Sequence, residues 1–386
     1  MSDYFLTPIS RDRPRTDGVG DVSSLPMGRI PSKANRPSAI PTVVSARRQR
    51  RIFSGASRLD AISHWAPDQV ITSDAIAERL APVVHPRLLG LERQTGVRER
   101  RVIIEGGSPV ELAMHSVTPT VERWLAAGRD LDEIDLVICA SVTRQMLEPA
   151  TATLIHHELG LQGAIAFDVA DACLGFVDAW CVADSMIAAG RVRSALLVCA
   201  EIGSLYAELA MRAILAGEDP RTHLAALTLG DGSAAAIVSA KDPGAPTRGI
   251  RHGIRESYGE YHDLCVIPAA GQPMLAEPGK LVDAAVARAP ELVRVLLHAS
   301  EWAPDAIDLV VPHQVTLRHT HEGMRLSGLP SERVATTLER FGNMASVSVP
   351  FTLSEAIHTG RLRRGSRVLI SGFGSGLGIG MLTMEF

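Results

Sequence analysis

Two stretches of this chain repeat each other. IDLVICASVT at 134–143 recurs as IDLVVPHQVT at 307–316, 173 residues later. IAAGRVR at 187–193 recurs as IHTGRLR at 357–363, 170 residues later. Two matches in the same order, at nearly one spacing, point to duplication of one αβ unit. Such a chain folds into two similar halves related by an approximate two-fold axis, and residues near that axis face each other. The 170-residue spacing carries Cys173 onto Asn343, each at the start of a helix that runs to the repeated Gly-Arg turn.

The segments around the repeats alternate between strand and helix. DLVICASV (135–142), AIAFDVA (164–170), SALLVCAE (194–201) and SAAAIVSA (233–240) are short, nearly all-apolar runs and read as buried strands. ATATLIHHELGL (150–161) and CLGFVDAWCVADSMIAAG (173–190) read as helices. Alternation of this kind predicts an α/β fold with mostly parallel sheets covered on both faces. Residues 1–50 are different: they are rich in Pro, Arg, Ser and Gly without sustained period, as in RDRPRTDGVG and ARRQRR. They read as a disordered or loosely attached basic arm. The expected organisation is that arm, a first half over 51–240 and a second over 241–386.

At 386 residues and 46% apolar, the chain can bury a large core. A net charge of −4 and only 4% aromatic residues argue against a nucleic-acid or acidic membrane surface. The five cysteines (139, 173, 181, 199 and 265) form no CxxC pair and no metal-ligand spacing, so free thiols in a reducing cytoplasm are expected. No N-terminal signal core and no run of 18 apolar residues is present.

Four places carry potential chemistry. Cys173 stands where a strand turns into an apolar helix. The free N–H groups of a helix N-terminus favour a thiolate and can hold an oxyanion. His313 follows Pro312 at the C-terminal end of a predicted strand, where α/β sheets place ligands. Asn343 follows Gly342 in a tight turn and offers an amide donor. LISGFGSGLGIG (369–380) does not fit G-x-G-x-x-G in any frame, which rejects dinucleotide binding; close backbone approach to a site, with N–H donors near Ser375, is the better use. Each position also has a structural use: a small buried Cys, a loop His bonded to backbone, a common Gly-Asn turn. Position alone leaves both uses open. In HTHE (319–322) the two histidines fall on different helix faces, which rejects a metal site, and Asp171 and Asp231 are expected to serve turns.

Together TGVRER (95–100), DVADACLGF, LTLGDGSAAAIV (227–238), VPHQVTLR (311–318), GNMASVSVP (342–350) and GFGSGLGIG resemble the thiolase superfamily in its β-ketoacyl-ACP synthase III branch, over residues 52–386. The resemblance implies the thiolase fold, a five-layer αβαβα sandwich of two duplicated halves, and a homodimer. It implies an acyltransferase that takes CoA or acyl-carrier-protein thioesters and needs no other cofactor or metal. Cys173 would be the acylated nucleophile, His313 and Asn343 would bind the thioester and enolate oxygens, and the N–H groups of Cys173 and Ser375 would form the oxyanion hole. SVTRQMLEPATATLIHHELG (141–160) is similar to the subfamily that joins two fatty acyl-CoAs head to head in olefin biosynthesis. In that subfamily a Glu in LEP, here Glu148, reaches across the dimer interface as the base. The resemblance places Arg98 and Arg100 near the site entrance. A decarboxylating synthase, an acyl transfer to a hydroxyl or amine, and a non-catalytic subunit of a heterodimer are the alternatives. The intact Cys173, His313 and Asn343 set argues against the last.

Overall fold

A computed structural model describes residues 52–103, 106–244, 248–268 and 271–386. The predicted arm lies outside the described residues. Ten strands, numbered along the chain, build two five-stranded sheets. They are β1 (Ile52–Ser54), β2 (Ser57–Trp65), β3 (Leu136–Cys139), β4 (Ile165–Asp168), β5 (Ser194–Ile202), β6 (Asp231–Ala240), β7 (Gly249–Ser257), β8 (Leu309–Pro312), β9 (Arg367–Gly374) and β10 (Gly378–Glu385). One sheet has the order β2-β6-β5-β3-β4 and the other β1-β7-β10-β9-β8. The six long helices that matter for the site are α1 (Pro109–Ala126), α2 (Thr151–Glu158), α3 (Gly175–Ala188), α4 (Pro278–Ser300), α5 (Leu317–Leu326) and α6 (Ser348–His358).

The sheets are mixed, not mostly parallel as the alternation suggested. β3 runs parallel to β4 and β5, and β8 to β9; the other neighbours are antiparallel. The physical reason is plain for β9 and β10, whose connection is too short for a crossover and closes a hairpin. β1, which precedes the first sheet in sequence, pairs with β7 of the second.

Side-chain alternation along the strands generates the layers. Leu136 and Ile138 of β3 point to one cluster, shared with Leu309 and Val311 of β8 and with α3 and α6. Val137 and Cys139 point the other way, to Val117 and Trp124 of α1 and Ile155 of α2. Val310 and Leu369 point outward in the second sheet, to Leu292, Leu296 and Leu297 of α4 and Met324 of α5. The order is therefore helix, sheet, helix pair α3/α6, sheet, helix: a five-layer αβαβα sandwich. No described helix is long and apolar enough to cross a membrane.

The internal match holds for four strands of each sheet, β3/β8, β5/β9, β6/β10 and β2/β7, while beside β8 only a single bridge, Val310 to Val334, stands where β4 flanks β3. Ala172 and Ala345, 173 residues apart, are both non-glycine residues with positive φ, 46° and 45°. Each opens a 3-10 turn that leads into a central helix. α3 has 14 residues and α6 has 11, so the spacing shrinks to 170 only after the helices. The counterpart of Cys173 is accordingly Ser346; Asn343 lies three residues earlier in its turn.

The crossing from β1 to β2, between the two sheets, is fixed by Asp184 of α3. Its Oδ1 accepts Ala56 N–H at 2.9 Å, Ser57 N–H at 2.7 Å and Ser57 O–H at 2.5 Å. Asp184 is 2% exposed. Asp184→Leu strands three buried donors and should lower unfolding free energy by about 3 kcal/mol or more, read as a lower urea midpoint at unchanged slope.

Candidate active site

The ends of the two central helices meet at a cavity of about 850 Å³ bordered by Cys173, Glu201, Cys265, His313, Asn343 and Ser375. Each reaches it by a local device. After β4 the chain bends at Asp171, passes Ala172 and enters the 3-10 turn Ala172–Leu174 ahead of α3. Arg255 of β7 holds this bend by ion pairs to Asp171 and, at 2.8 Å, to Asp178 of α3. The 372–376 turn packs onto it so closely that a Cβ on Gly374 would stand 2.8 Å from the Asp171 carbonyl oxygen. Close backbone approach is thus the use of the glycine-rich C-terminal motif, and it puts Ser375 beside Cys173 at the cavity.

Burial holds the Cys173 thiol well above its ordinary range, with Cys265 and Glu201 adding to the shift. This differs from the thiolate expected at a helix N-terminus. Desolvation outweighs the helix end here, so the resting sulfur keeps its proton.

His313 leaves the sheet directly after β8, anchored by its N–H to the Ser371 carbonyl at 2.7 Å. Its ring lies edge-on to Phe373, with centroids 5.1 Å apart. The residue is 3% exposed, and neither ring nitrogen has a hydrogen-bond partner. Burial lowers its pKa to about 4, so the imidazole is neutral near pH 7.

Asn343 is positioned by its backbone. Its N–H donates to the Thr228 carbonyl at 2.9 Å, and its carbonyl accepts Gly230 N–H at 3.1 Å. Only glycine fits on either side: a Cβ on Gly230 would lie 2.2 Å from the Phe341 oxygen, and one on Gly342 (φ +69°) 2.5 Å from the Thr228 oxygen. Asn343 Oδ1 accepts Ala345 N–H at 2.9 Å, so its amide N–H groups are not spent on that bond, and the residue borders the cavity.

Other expectations fall differently. Arg100 is not at an entrance: it is 1% exposed and donates to the Leu227 carbonyl at 2.9 Å and to Ser73 Oγ at 3.2 Å. It staples the TGVRER segment under the Gly230–Gly342 contact. Arg98 is exposed. Asp231 serves turns, accepting Ile103 N–H and Ser204 N–H, both at 2.7 Å. Glu148 is exposed and does not border its own chain's cavity, although Met146 and Leu147 of the same loop do. Two residues escaped the sequence reading. Gln314 bonds Thr337 N–H and the Ala335 carbonyl and so fixes the loop behind His313. Glu201 lies fully buried at the cavity. The only sequence signal for it is a charge closing an apolar strand.

With this geometry established, comparison with known proteins is specific. Residues 167–252 match the family model of 3-oxoacyl-[acyl-carrier-protein] synthase III, and residues 297–386 match that of its C-terminal part. The chain is 29% identical over 339 residues to the β-ketoacyl-[acyl-carrier-protein] synthase III of Laribacter hongkongensis, covering 86% of this chain and 99% of that protein. It is similar to the cerulenin-bound structure of Xanthomonas campestris OleA, at 28% identity and a TM-score of 0.79, covering 86% of this chain and 98% of the other. An OleA variant with bound lauric acid and lauroyl-CoA matches with a TM-score of 0.78 at 28% identity, covering 86% of this chain and all of the other.

The neutral His313 has a measurable consequence. NMR of the ring should show titration near 4 in place of the ordinary 6.5. Above pH 6.5 neither the folded nor the unfolded chain protonates this ring. Between 6.5 and about 4 only the unfolded chain does, so stability falls as pH drops through that window and levels off below it. His313→Asn should remove that part of the acid sensitivity, seen in the melting temperature.

Proposed function

This chain, a thiolase-superfamily protein of the synthase III type that resembles OleA, is a condensing acyltransferase, and we propose that its reaction is a non-decarboxylative Claisen condensation of two acyl-CoAs. The convergence of Cys173, His313 and Asn343 on one largely apolar cavity supports a condensing site, and the observation that carries the non-decarboxylative reading is the exposed Glu148 on the loop whose Met146 and Leu147 border that cavity.

In the first half-reaction the Cys173 sulfur attacks an acyl-CoA carbonyl, the C–S bond to CoA breaks, and CoA leaves with the thiol proton. The N–H groups of Cys173 and Ser375 stabilise the tetrahedral oxyanion. A second acyl-CoA then binds with its thioester oxygen against His313 and Asn343. Its α-carbon is a weak acid, and no CO2 departs to generate the carbanion. A base and two donors at the enolate oxygen are therefore required. Neutral imidazole suits that donor role, because it gives a hydrogen bond without surrendering its proton. The enolate carbon attacks the acyl-Cys carbonyl, the Cys173 thiolate departs and is reprotonated, and a 2-alkyl-3-oxoacyl-CoA is released.

The base is Glu148 of the partner subunit in a homodimer. Three features support this: Glu148 is exposed, its neighbours Met146 and Leu147 border the cavity, and Leu147 is 89% exposed on one chain. The edge strand β4, with Ile165 45% exposed, offers an unpaired rim for a second copy.

A decarboxylating synthase is the second reading, favoured by the similarity to the Laribacter enzyme. In that case purified protein releases CO2 from malonyl-acyl-carrier protein, and Glu148 is dispensable.

Incubation with acyl-CoAs should add one acyl mass to the protein, and Cys173→Ser should abolish both this adduct and turnover. Glu148→Ala should keep the adduct and lose condensation by about 100-fold or more. Condensation at the wild-type rate in Glu148→Ala removes it as the base.

A further inference from the structure

Glu201 is the one fully buried carboxylate at the cavity that the mechanism above leaves without a role. It ends β5, next to the turn that begins at Gly203. Its surroundings fix what it can do. Oε1 accepts Val142 N–H at 2.9 Å and Ser346 O–H at 2.5 Å. Oε2 accepts Thr143 N–H at 3.0 Å and Thr143 O–H at 2.9 Å. A carboxylate has about four lone-pair positions, and all four are filled. Burial raises its pKa, but these bonds occupy the oxygen positions that an α-proton would need, so Glu201 is not placed to rival Glu148.

Its four donors come from two places. Val142 and Thr143 open the loop after β3 that runs on through Met146 and Leu147 to Glu148. Ser346 closes the turn that begins at Asn343, in the other half of the molecule. That turn is under strain, since Ala345 holds φ at 45° without being glycine. Inside the turn it is held by the Asn343 Oδ1 bond to Ala345 N–H, the Met344 N–H bond to Ser348 Oγ and the Val347 N–H bond to the Met344 carbonyl. From outside it is gripped at Asn343, by the backbone bonds to Thr228 and Gly230, and at Ser346, by the side-chain bond to Glu201. Ser346 is also the counterpart of Cys173, so the position that carries the nucleophile in one half carries the handle of this clamp in the other.

We infer that Glu201 is a positioning residue that, by bonding Ser346 and Thr143 at once, sets the enolate-binding amide of Asn343 in its own site and the root of the loop that carries Glu148 to the partner's site. This rests on the roles given above to Asn343 and Glu148. Acyl loading of Cys173 uses neither residue and is spared; condensation uses both.

The test separates the two half-reactions in the full-length protein. Glu201→Gln can accept fewer of the four bonds and presents an NH2 group to donors. It should acquire the acyl mass at a rate within about threefold of wild type, while single-turnover condensation of the acylated protein falls about 30-fold or more. Ser346→Ala removes one bond and carries less risk to folding; it should lose condensation about fivefold with loading unchanged. The double variant should be no slower than Glu201→Gln alone, because both changes break one clamp. KM for the first acyl-CoA should hold while kcat falls. Condensation at the wild-type rate in both single variants overturns the clamp. So does an equal fall of loading and condensation at an unchanged melting temperature, which would make Glu201 a support of Cys173 itself. If Glu201→Gln does not fold, Ser346→Ala decides. The clamp is read with whichever second donor the wild-type protein condenses, since Asn343 holds the enolate in either case. A wild type that works only with a malonyl donor overturns the non-decarboxylative reading, and a loss in Ser346→Ala with that donor still upholds the clamp.

Discussion

Two helices largely sheltered from solvent dominate this molecule. α3 and α6 lie between the two sheets, and their side chains belong to the same cluster as inward residues of β3, β8 and β9. Little of that layer is open to water, and an unpaired polar group buried there costs more than a typical hydrogen bond returns. Polar groups in the layer are therefore either locked, as Asp184 is by three donors, or gathered at the helix N-termini, where a cavity opens. The active groups sit at these ends because that is where the buried layer reaches a cavity that substrate can enter.

The same dryness sets the electrical state of the site. The Cys173 thiol is pushed up and the His313 imidazole down, each toward its neutral form. A preformed thiolate–imidazolium pair, the arrangement of cysteine hydrolases, is disfavoured from both sides. What remains is a thiol at a helix end and a set of neutral donors aimed at positions where oxygen becomes negative. In the proposed reaction catalysis comes from hydrogen bonds that strengthen as charge develops in a low-dielectric space, where they count for more than in water.

The parts of this design that depend on local chain geometry were legible in the sequence. The strand-turn-helix around Cys173, the break after Pro312 and the Gly-Asn turn are local events, and the glycine-rich tail announced close packing. The parts that depend on distant partners were not. Glu201 gives no sign in sequence that its charge is met by Ser346, 145 residues away. Arg100 reads as an entrance cation until Leu227 and Ser73 are seen around it. Strand direction is equally silent: β5 and β6 are joined by about thirty residues, enough for a parallel crossover, yet they run antiparallel. Equating Cys173 with Asn343 failed for a simpler reason, that the two central helices differ in length by less than one turn.

Duplication should give two sites, and only one has developed; the packing explains why. The counterpart of His313 is Ala140, and it lies under α3, where a Cβ on Gly175 would already be 3.1 Å from the Ala140 methyl. An imidazole at 140 has no room. Strand register, which sets Ala195 beside Leu136 and Val368 beside Leu309, restores the 173 spacing in β5 and β9, so the counterpart of Glu201 is Gly374, whose missing side chain is what lets the C-terminal turn close on Asp171. A nucleophile at Ser346 would face the Glu201 carboxylate at hydrogen-bond distance, and a thiol there would be held protonated by that charge. Each half thus occupies, with a structural group, the space that the other half uses for chemistry. The two-fold relation survives in the backbone, down to the paired strained alanines, while the side chains have divided the labour of one site.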